Sequence, residues 1–142
     1  MQLRVTRIDA TLPLPKYETD GACAFDLIAR ETTIIEPKAV GRIPSNVIVC
    51  VPKGYVLLVT PRSSTPKKKG LLIPHGTGVI DQDYRGPTDE IFVQLWNFTD
   101  AATTVERGER FAQAMIVPVL RCELVEGVPA AEKSRGGFGS TG

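Results

Sequence analysis

The 142-residue chain is predicted to be an all-β domain of the sandwich or barrel class. Eleven prolines and thirteen glycines interrupt it, roughly once every 8 to 12 residues, which is the turn spacing of short strands. Between these breaks lie brief runs rich in Val, Ile and Leu. Only one segment carries helix signals, and barely more than one turn of them.

Each element follows from its residues. Met1-Gln2-Leu3-Arg4-Val5 opens directly into an alternating strand pattern, with no apolar signal core. Val47 to Val51 and Tyr55 to Val59 read as two strands joined by the turn Pro52-Lys53-Gly54. In the helical segment Thr65 is the expected N-cap and Pro66 suits the first helical position. Lys67, Lys68 and Lys69 then fall where the helix dipole favours cations, and Gly70 closes the turn. Ile91 to Trp96 and Ala114 to Val119 are further strands. There are no repeats and no interdomain linker. The expected division is a β-rich core over 1–130 and a mobile, glycine-rich C-terminal flap over 131–142.

Size and charge bound the function. A single domain of this length buries roughly two-thirds of its unfolded surface. A net charge of +1 provides no global basic field, so no nucleic-acid partner is implied and an anionic ligand must be gripped locally. Cys23, Cys50 and Cys122 have no paired spacing and read as free buried thiols of a reducing compartment rather than a zinc site. No apolar run approaches the roughly 20 residues that span a bilayer. A cytoplasmic protein without a membrane partner is expected. His75 is the only histidine, with neither a serine triad nor a metal cluster around it.

Three segments carry chemistry. Val79-Ile80-Asp81-Gln82-Asp83-Tyr84-Arg85-Gly86 sets two acids, an aromatic and an arginine between a strand and a turn glycine. Its acids suit a carboxylate that holds a water beside a ring that covers a sugar. Arg62-Ser63-Ser64 puts a guanidinium and two hydroxyls at the start of the short helix, a set suited to phosphate. In Arg135-Gly136-Gly137-Phe138-Gly139-Ser140-Thr141-Gly142 half the residues are glycine. Such a segment forms no helix or strand alone, yet its amides can approach phosphate closely while Arg135 and Ser140 add donors. It reads as a flap that orders over a phosphorylated ligand.

Five motifs, in this order and spacing, resemble those of the homotrimeric dUTP pyrophosphatases (dUTPases). They are Cys23 to Ala29, Pro61 to Ser64 with Gly70, Gly78 to Gly86, Gly108 to Gln113, and the tail from Arg135. The resemblance implies a jelly-roll-like (β-clip) fold with one very short helix, and three copies that share active sites. It implies hydrolysis of dUTP to dUMP and pyrophosphate with Mg2+, which keeps uracil out of DNA and supplies dUMP for thymidylate synthesis. By the same resemblance Asp81 is the catalytic carboxylate and Tyr84 the ring that packs on deoxyribose and excludes a 2′-hydroxyl. Arg62, Ser63, Ser64 and Gln113 take phosphate-contacting positions, and His75, Gly78 and Val79 belong to the hairpin whose backbone reads uracil. Phe138 would stack on uracil, with Gly139 beside it, while Arg135, Ser140 and Thr141 engage the phosphates. No protein ligand to the metal is implied, because Mg2+ prefers water and phosphate oxygens.

Other positions have structural expectations. Asp26 should form an ion pair or act behind the contact residues. Asp83 should pair with Arg85 or Arg110, Arg110 should serve an acid rather than phosphate, and Trp96 should pack in the core or at a trimer interface. Two departures from the family pattern stand out: Cys23-Ala24 replaces Ala-Gly, and His75 replaces a frequent Asn before Gly76. The latter bears on turn shape, since Asn tolerates left-handed backbone best and His is also above average there. The alternative reading is a dCTP deaminase, or a bifunctional deaminase–dUTPase, on the same fold. Deamination needs a carboxylate in the strand after Asp81, where Gln94 stands, and an amide cannot shuttle the proton.

Overall fold

The computed structural model describes residues 1–137 and is built almost wholly from short antiparallel strands. Two ribbons pair β1 (Arg4–Arg7) with β5 (Val47–Cys50) and β3 (Thr33–Ile35) with β10 (Thr103–Val105). A four-stranded sheet runs in the order β2 (Phe25–Ile28), β11 (Arg110–Pro118), β6 (Tyr55–Pro61), β8 (Gly78–Ile80). A three-stranded sheet orders β4 (Val40–Pro44), β9 (Phe92–Asn97), β7 (Leu71–Leu72). Most neighbours are distant in sequence, as in the expected jelly-roll-like arrangement. Leu27, Ile43, Val47, Leu57, Leu71 and Leu95 are fully buried at its centre.

Strands predicted from long apolar runs fall where expected, whereas the short ones escape the pattern. β5, β6 and β9 match, and β11 begins at Arg110 rather than Ala114. The strand expected just before Asp81 is β8, and the unanticipated β2, β3, β4, β7 and β10 have at most five residues each, too few to show a period. β4 also contains Gly41 and Pro44, which read as turn residues. An edge strand tolerates them, and β4 lies at the edge of its sheet with Pro44 last.

The helix α1 spans Thr65–Lys69, and its N-cap is Ser64 rather than Thr65. The Thr65 side chain is buried and donates to the Phe111 carbonyl at 3.3 Å instead of capping. Ser64 makes no side-chain capping bond. The predicted ending holds: Gly70 takes φ +64° and its N–H donates to Pro66 O at 2.9 Å. A Cβ there would lie 2.0 Å from Thr99 Cγ2, so the position requires glycine on both counts.

A bulge in β11 shapes the site above it. Arg110 pairs with Ile28 and Ala112 with Leu27, leaving Phe111 as the extra residue. Phe111 and Ala112 both enter the core, while Arg110 and Gln113 remain on the outer side. After β11, residues 120–137 form no strand or helix, and Leu120, Leu124, Val125 and Val128 are exposed. The three cysteines are free, but Cys23 and Cys122 are exposed rather than buried because they lie in loop and tail instead of strands. Trp96 is half-buried with its ring 6.2 Å from that of Phe98. No helix among the described residues is long and apolar enough to cross a membrane.

Asp9 ties the N-terminal loop to the β10–β11 turn. Its carboxylate accepts the Thr11 hydroxyl at 2.6 Å and Arg107 Nη2 at 2.7 Å. These bonds, together with the Thr11 N–H, hold Asp9 well below the ordinary value of 3.8. A depressed carboxylate stabilises the fold above its unfolded value and loses that contribution as pH falls through the folded one. Asp9→Asn should therefore unfold more easily than the parent at pH 6. The gap should narrow progressively below pH 3.8, as read from urea midpoints across a pH series.

Candidate active site

One carboxylate organises the Arg62-Ser63-Ser64 region. Asp26 on β2 accepts Arg62 Nε at 2.9 Å and Arg110 Nη1 at 3.2 Å. Arg110 also reaches Glu18 at 3.1 Å. Asp26 thus forms the expected ion pair, and Arg110 serves acids as expected, although it is exposed rather than buried. The β11 bulge and the Gln113–Asp26 register bring these groups together at the edge of α1. They line a cavity of about 240 Å³ with Ser63, Ser64 and Gln113. Its charged lining is two guanidiniums and two carboxylates, a balance of zero. The Gln113 amide donates to Thr60 Oγ1 at 3.3 Å and Pro61 O at 3.2 Å, so a phosphate would compete with two long hydrogen bonds.

The second cluster follows β8. Asp81 is exposed at the head of a turn closed by Tyr84 N–H donating to Asp81 O at 3.3 Å. Gln82 anchors this turn to β6 by donating to Tyr55 O at 3.0 Å. Tyr84 is 36% exposed, with its hydroxyl donating to Glu90 O at 2.9 Å. Asp81, Tyr84, Val79, Phe92 and Gln94 face a cavity of about 280 Å³. Arg42 lies 4.0 Å over the Phe92 ring in the same cavity. Gln94 therefore stands beside Asp81, where a deaminase would need an acid. Asp83 pairs with neither Arg85 nor Arg110 among the described residues; Arg85 offers it only a main-chain bond, N–H to O at 2.9 Å. Arg110 cannot serve it because that guanidinium is committed to Asp26 and Glu18 in the other cavity.

Of the remaining site residues, Val79 lines the Asp81 cavity, and His75 and Gly78 line a neighbouring one that shares Ile80, Phe92 and Gln94 with it. His75 is exposed, its Nδ1 3.1 Å from Thr77 O. The left-handed backbone of this turn falls on Gly76 at φ +82°, and His75 has no positive φ, so its side chain carries no turn strain. Gly78 begins β8 and packs against Val59, while Val79 is exposed. Arg135 is exposed in the tail. Phe138, Gly139, Ser140 and Thr141 lie outside the described residues.

Sequence reasoning missed Glu18 and Glu90. Glu90 is 5% exposed and takes both oxygens of its carboxylate to Arg30, Nε and Nη2 each at 2.9 Å. That bond, more than the Glu31 carboxylate that also touches Arg30, holds the guanidinium above its ordinary value. An acid immediately before an apolar strand was the available signal for Glu90. Glu18 offered none, since its partner Arg110 comes from the far end of the chain.

The dUTPase family model matches residues 10–142. The chain is 39% identical to the deoxyuridine 5'-triphosphate nucleotidohydrolase of Dictyoglomus turgidum over 148 aligned residues, covering 100% of this chain and 99% of that protein. Its fold is similar to that of the Streptococcus mutans dUTPase, with TM-score 0.76, 37% identity, and coverage of 87% of this chain and 98% of that one. It is also similar to the dUTPase of Staphylococcus bacteriophage 80alpha solved with dUPNHPP, with TM-score 0.85, 28% identity, and coverage of 99% and 98%. With the family match running nearly end to end over the fold and both side-chain clusters, the chain belongs to the dUTPase family and is a dUTP diphosphatase.

Proposed function

We propose that the chain cleaves dUTP at the α-phosphorus with Asp81 as the base, in a homotrimer whose active sites are built from more than one subunit. The separation of the two clusters carries this reading. Among the described residues the Asp26–Arg62 cavity and the Asp81–Tyr84 cavity have no lining residue in common, and each holds only half of what the reaction requires. The exposed Leu120, Leu124, Val125 and Val128 add apolar surface that a neighbouring subunit would cover.

The chemistry assigns each half a task. Asp81 holds a water and takes its proton as the water oxygen bonds to the α-phosphorus. The bond from that phosphorus to the bridging oxygen breaks in line, and pyrophosphate departs. Tyr84 packs on the deoxyribose, and the hairpin from His75 through Gly78 and Val79 reads uracil through its backbone. Arg62, Ser63, Ser64 and Gln113 hold phosphate. A triphosphate brings about four negative charges, and a cavity of zero balance cannot offset them. Arg135, in a tail that closes with Phe138 on uracil and Gly139, Ser140 and Thr141 near the phosphates, adds part of the compensation.

Mg2+ would supply the rest by neutralising phosphate charge. Such an ion would be held through phosphate oxygens and water, because Mg2+ dehydrates reluctantly and keeps several waters beside substrate phosphates. In the cell, taken to be the cytoplasm, the reaction lowers dUTP, limits uracil in DNA and provides dUMP for dTMP synthesis. Gln94 beside Asp81 leaves the deaminase alternative without its acid.

Two assays test the proposal. With Mg2+, pyrophosphate should appear from dUTP but not from dCTP, dTTP or UTP; ammonia from dCTP would restore the deaminase. Asp81→Asn and Arg62→Ala subunits, each poorly active alone, should regain turnover when co-assembled, because mixed trimers contain sites with both residues intact. A mixture no more active than its parts would place the whole site within one chain.

A further inference from the structure

Glu90 reaches the nucleotide pocket only through its main chain. Its carbonyl accepts the Tyr84 hydroxyl at 2.9 Å, so the far end of that ring is fixed by the peptide after Glu90. That peptide and the one after it are both held. Ile91 N–H donates to Val47 O at 2.9 Å and Ser45 N–H donates to Ile91 O at 3.0 Å. The Glu90 carboxylate, besides its bidentate bond to Arg30, accepts the Asn46 N–H at 2.9 Å. Asn46 itself is locked at φ +67° by reciprocal bonds with the Asp9 main chain, at 2.7 and 3.1 Å. From Tyr84 to Arg30 the links are hydrogen bonds between partly buried groups, joined by the covalent step through Glu90 itself.

A buried ion pair is weak support for stability, since an apolar pair of similar shape often serves as well. A planar guanidinium on both carboxylate oxygens instead fixes orientation, which a single ammonium cannot do. We propose that Arg30, Glu90 and Asn46 form a positioning device that holds the Tyr84 ring against the sugar and sets the discrimination between dUTP and UTP. The inference rests on the reading of Tyr84 as the ring that packs on deoxyribose. A ribonucleotide differs by one oxygen, and displacements of about 1 Å are enough to change rates about a hundredfold. A ring tethered at its hydroxyl resists such a displacement; an untethered ring can pivot and admit the extra oxygen.

The test is kcat/KM for dUTP and for UTP, measured separately on the full-length enzyme and on Tyr84→Ala, Tyr84→Phe, Arg30→Lys and Glu90→Gln. Tyr84→Phe removes the tether and keeps the ring; Arg30→Lys keeps the charge and removes the fork. In both, the UTP-to-dUTP ratio should rise by about tenfold, on the scale of one lost hydrogen bond. The double variant should show no further rise, because both changes act through one link. A merely structural role would lower both substrates together and leave the ratio fixed. If Tyr84→Ala raises the ratio while Tyr84→Phe and Arg30→Lys do not, the ring reads the sugar but the network does not position it. If the parent enzyme already accepts UTP, or Tyr84→Ala leaves the ratio unchanged, the reading of Tyr84 itself falls and the proposal with it. Should Glu90→Gln fail to fold, the other variants still decide the question.

Discussion

Asp81→Asn is expected to bind dUTP almost normally and to turn it over at least about a hundredfold more slowly. Asp81 is exposed at the head of its turn and forms no ion pair among the described residues, so the substitution disturbs no structural contact. Asparagine keeps the shape and can still hold a water, but it cannot accept the proton. The effect should therefore fall on kcat with KM little changed. Equilibrium binding of a non-hydrolysable dUTP analogue, measured beside steady-state kinetics, separates the two. Near-normal turnover would remove Asp81 from the role of base, and a matching loss of affinity would make it a binding residue.

Removing residues 135–142 should also cut turnover by about a hundredfold, for a different reason. Arg135 is exposed, and the described hydrogen bond of this stretch, Gly136 N–H to Ser134 Oγ at 3.1 Å, reaches only the exposed residue just before the deletion and not the core. Segments with few contacts to the core add little to global stability. The truncated protein should melt within about 2 °C of the parent while losing most of its kcat/KM. A large fall in melting temperature would give the tail a structural role instead of a closing one.

What the sequence made legible depended on how locally each feature was encoded. β5 and β6 open as unbroken apolar runs, β9 is apolar on either side of Gln94, and Gly70 announces its own turn through its backbone. β4 hides behind Gly41 and Pro44, which a sheet edge accepts and a sheet centre would not. The Thr65 cap failed because a partner from β11, distant in sequence, claimed its hydroxyl. The candidate site divides in the same way. Asp81, Tyr84 and Arg62 stand in compact motifs, whereas the Asp26 bridge between Arg62 and Arg110 exists only once β2 and β11 pair around the bulge. Glu90 escaped because its contribution runs through a carbonyl, a group that every residue possesses.

The charge balance of the Asp26 cavity bears on which molecules the protein meets. Two guanidiniums countered by Asp26 and Glu18 cast little field into solvent, and what remains is screened within about 8 Å at physiological ionic strength. Inside this cavity charge alone therefore selects nothing. The positive excess lies next door, where Lys68 and Lys69 join Arg62 and Arg110 against Glu109. An anion drawn to that side gains little from charge on entering the Asp26 cavity, so selection there has to rest on fit and hydrogen bonding at contact.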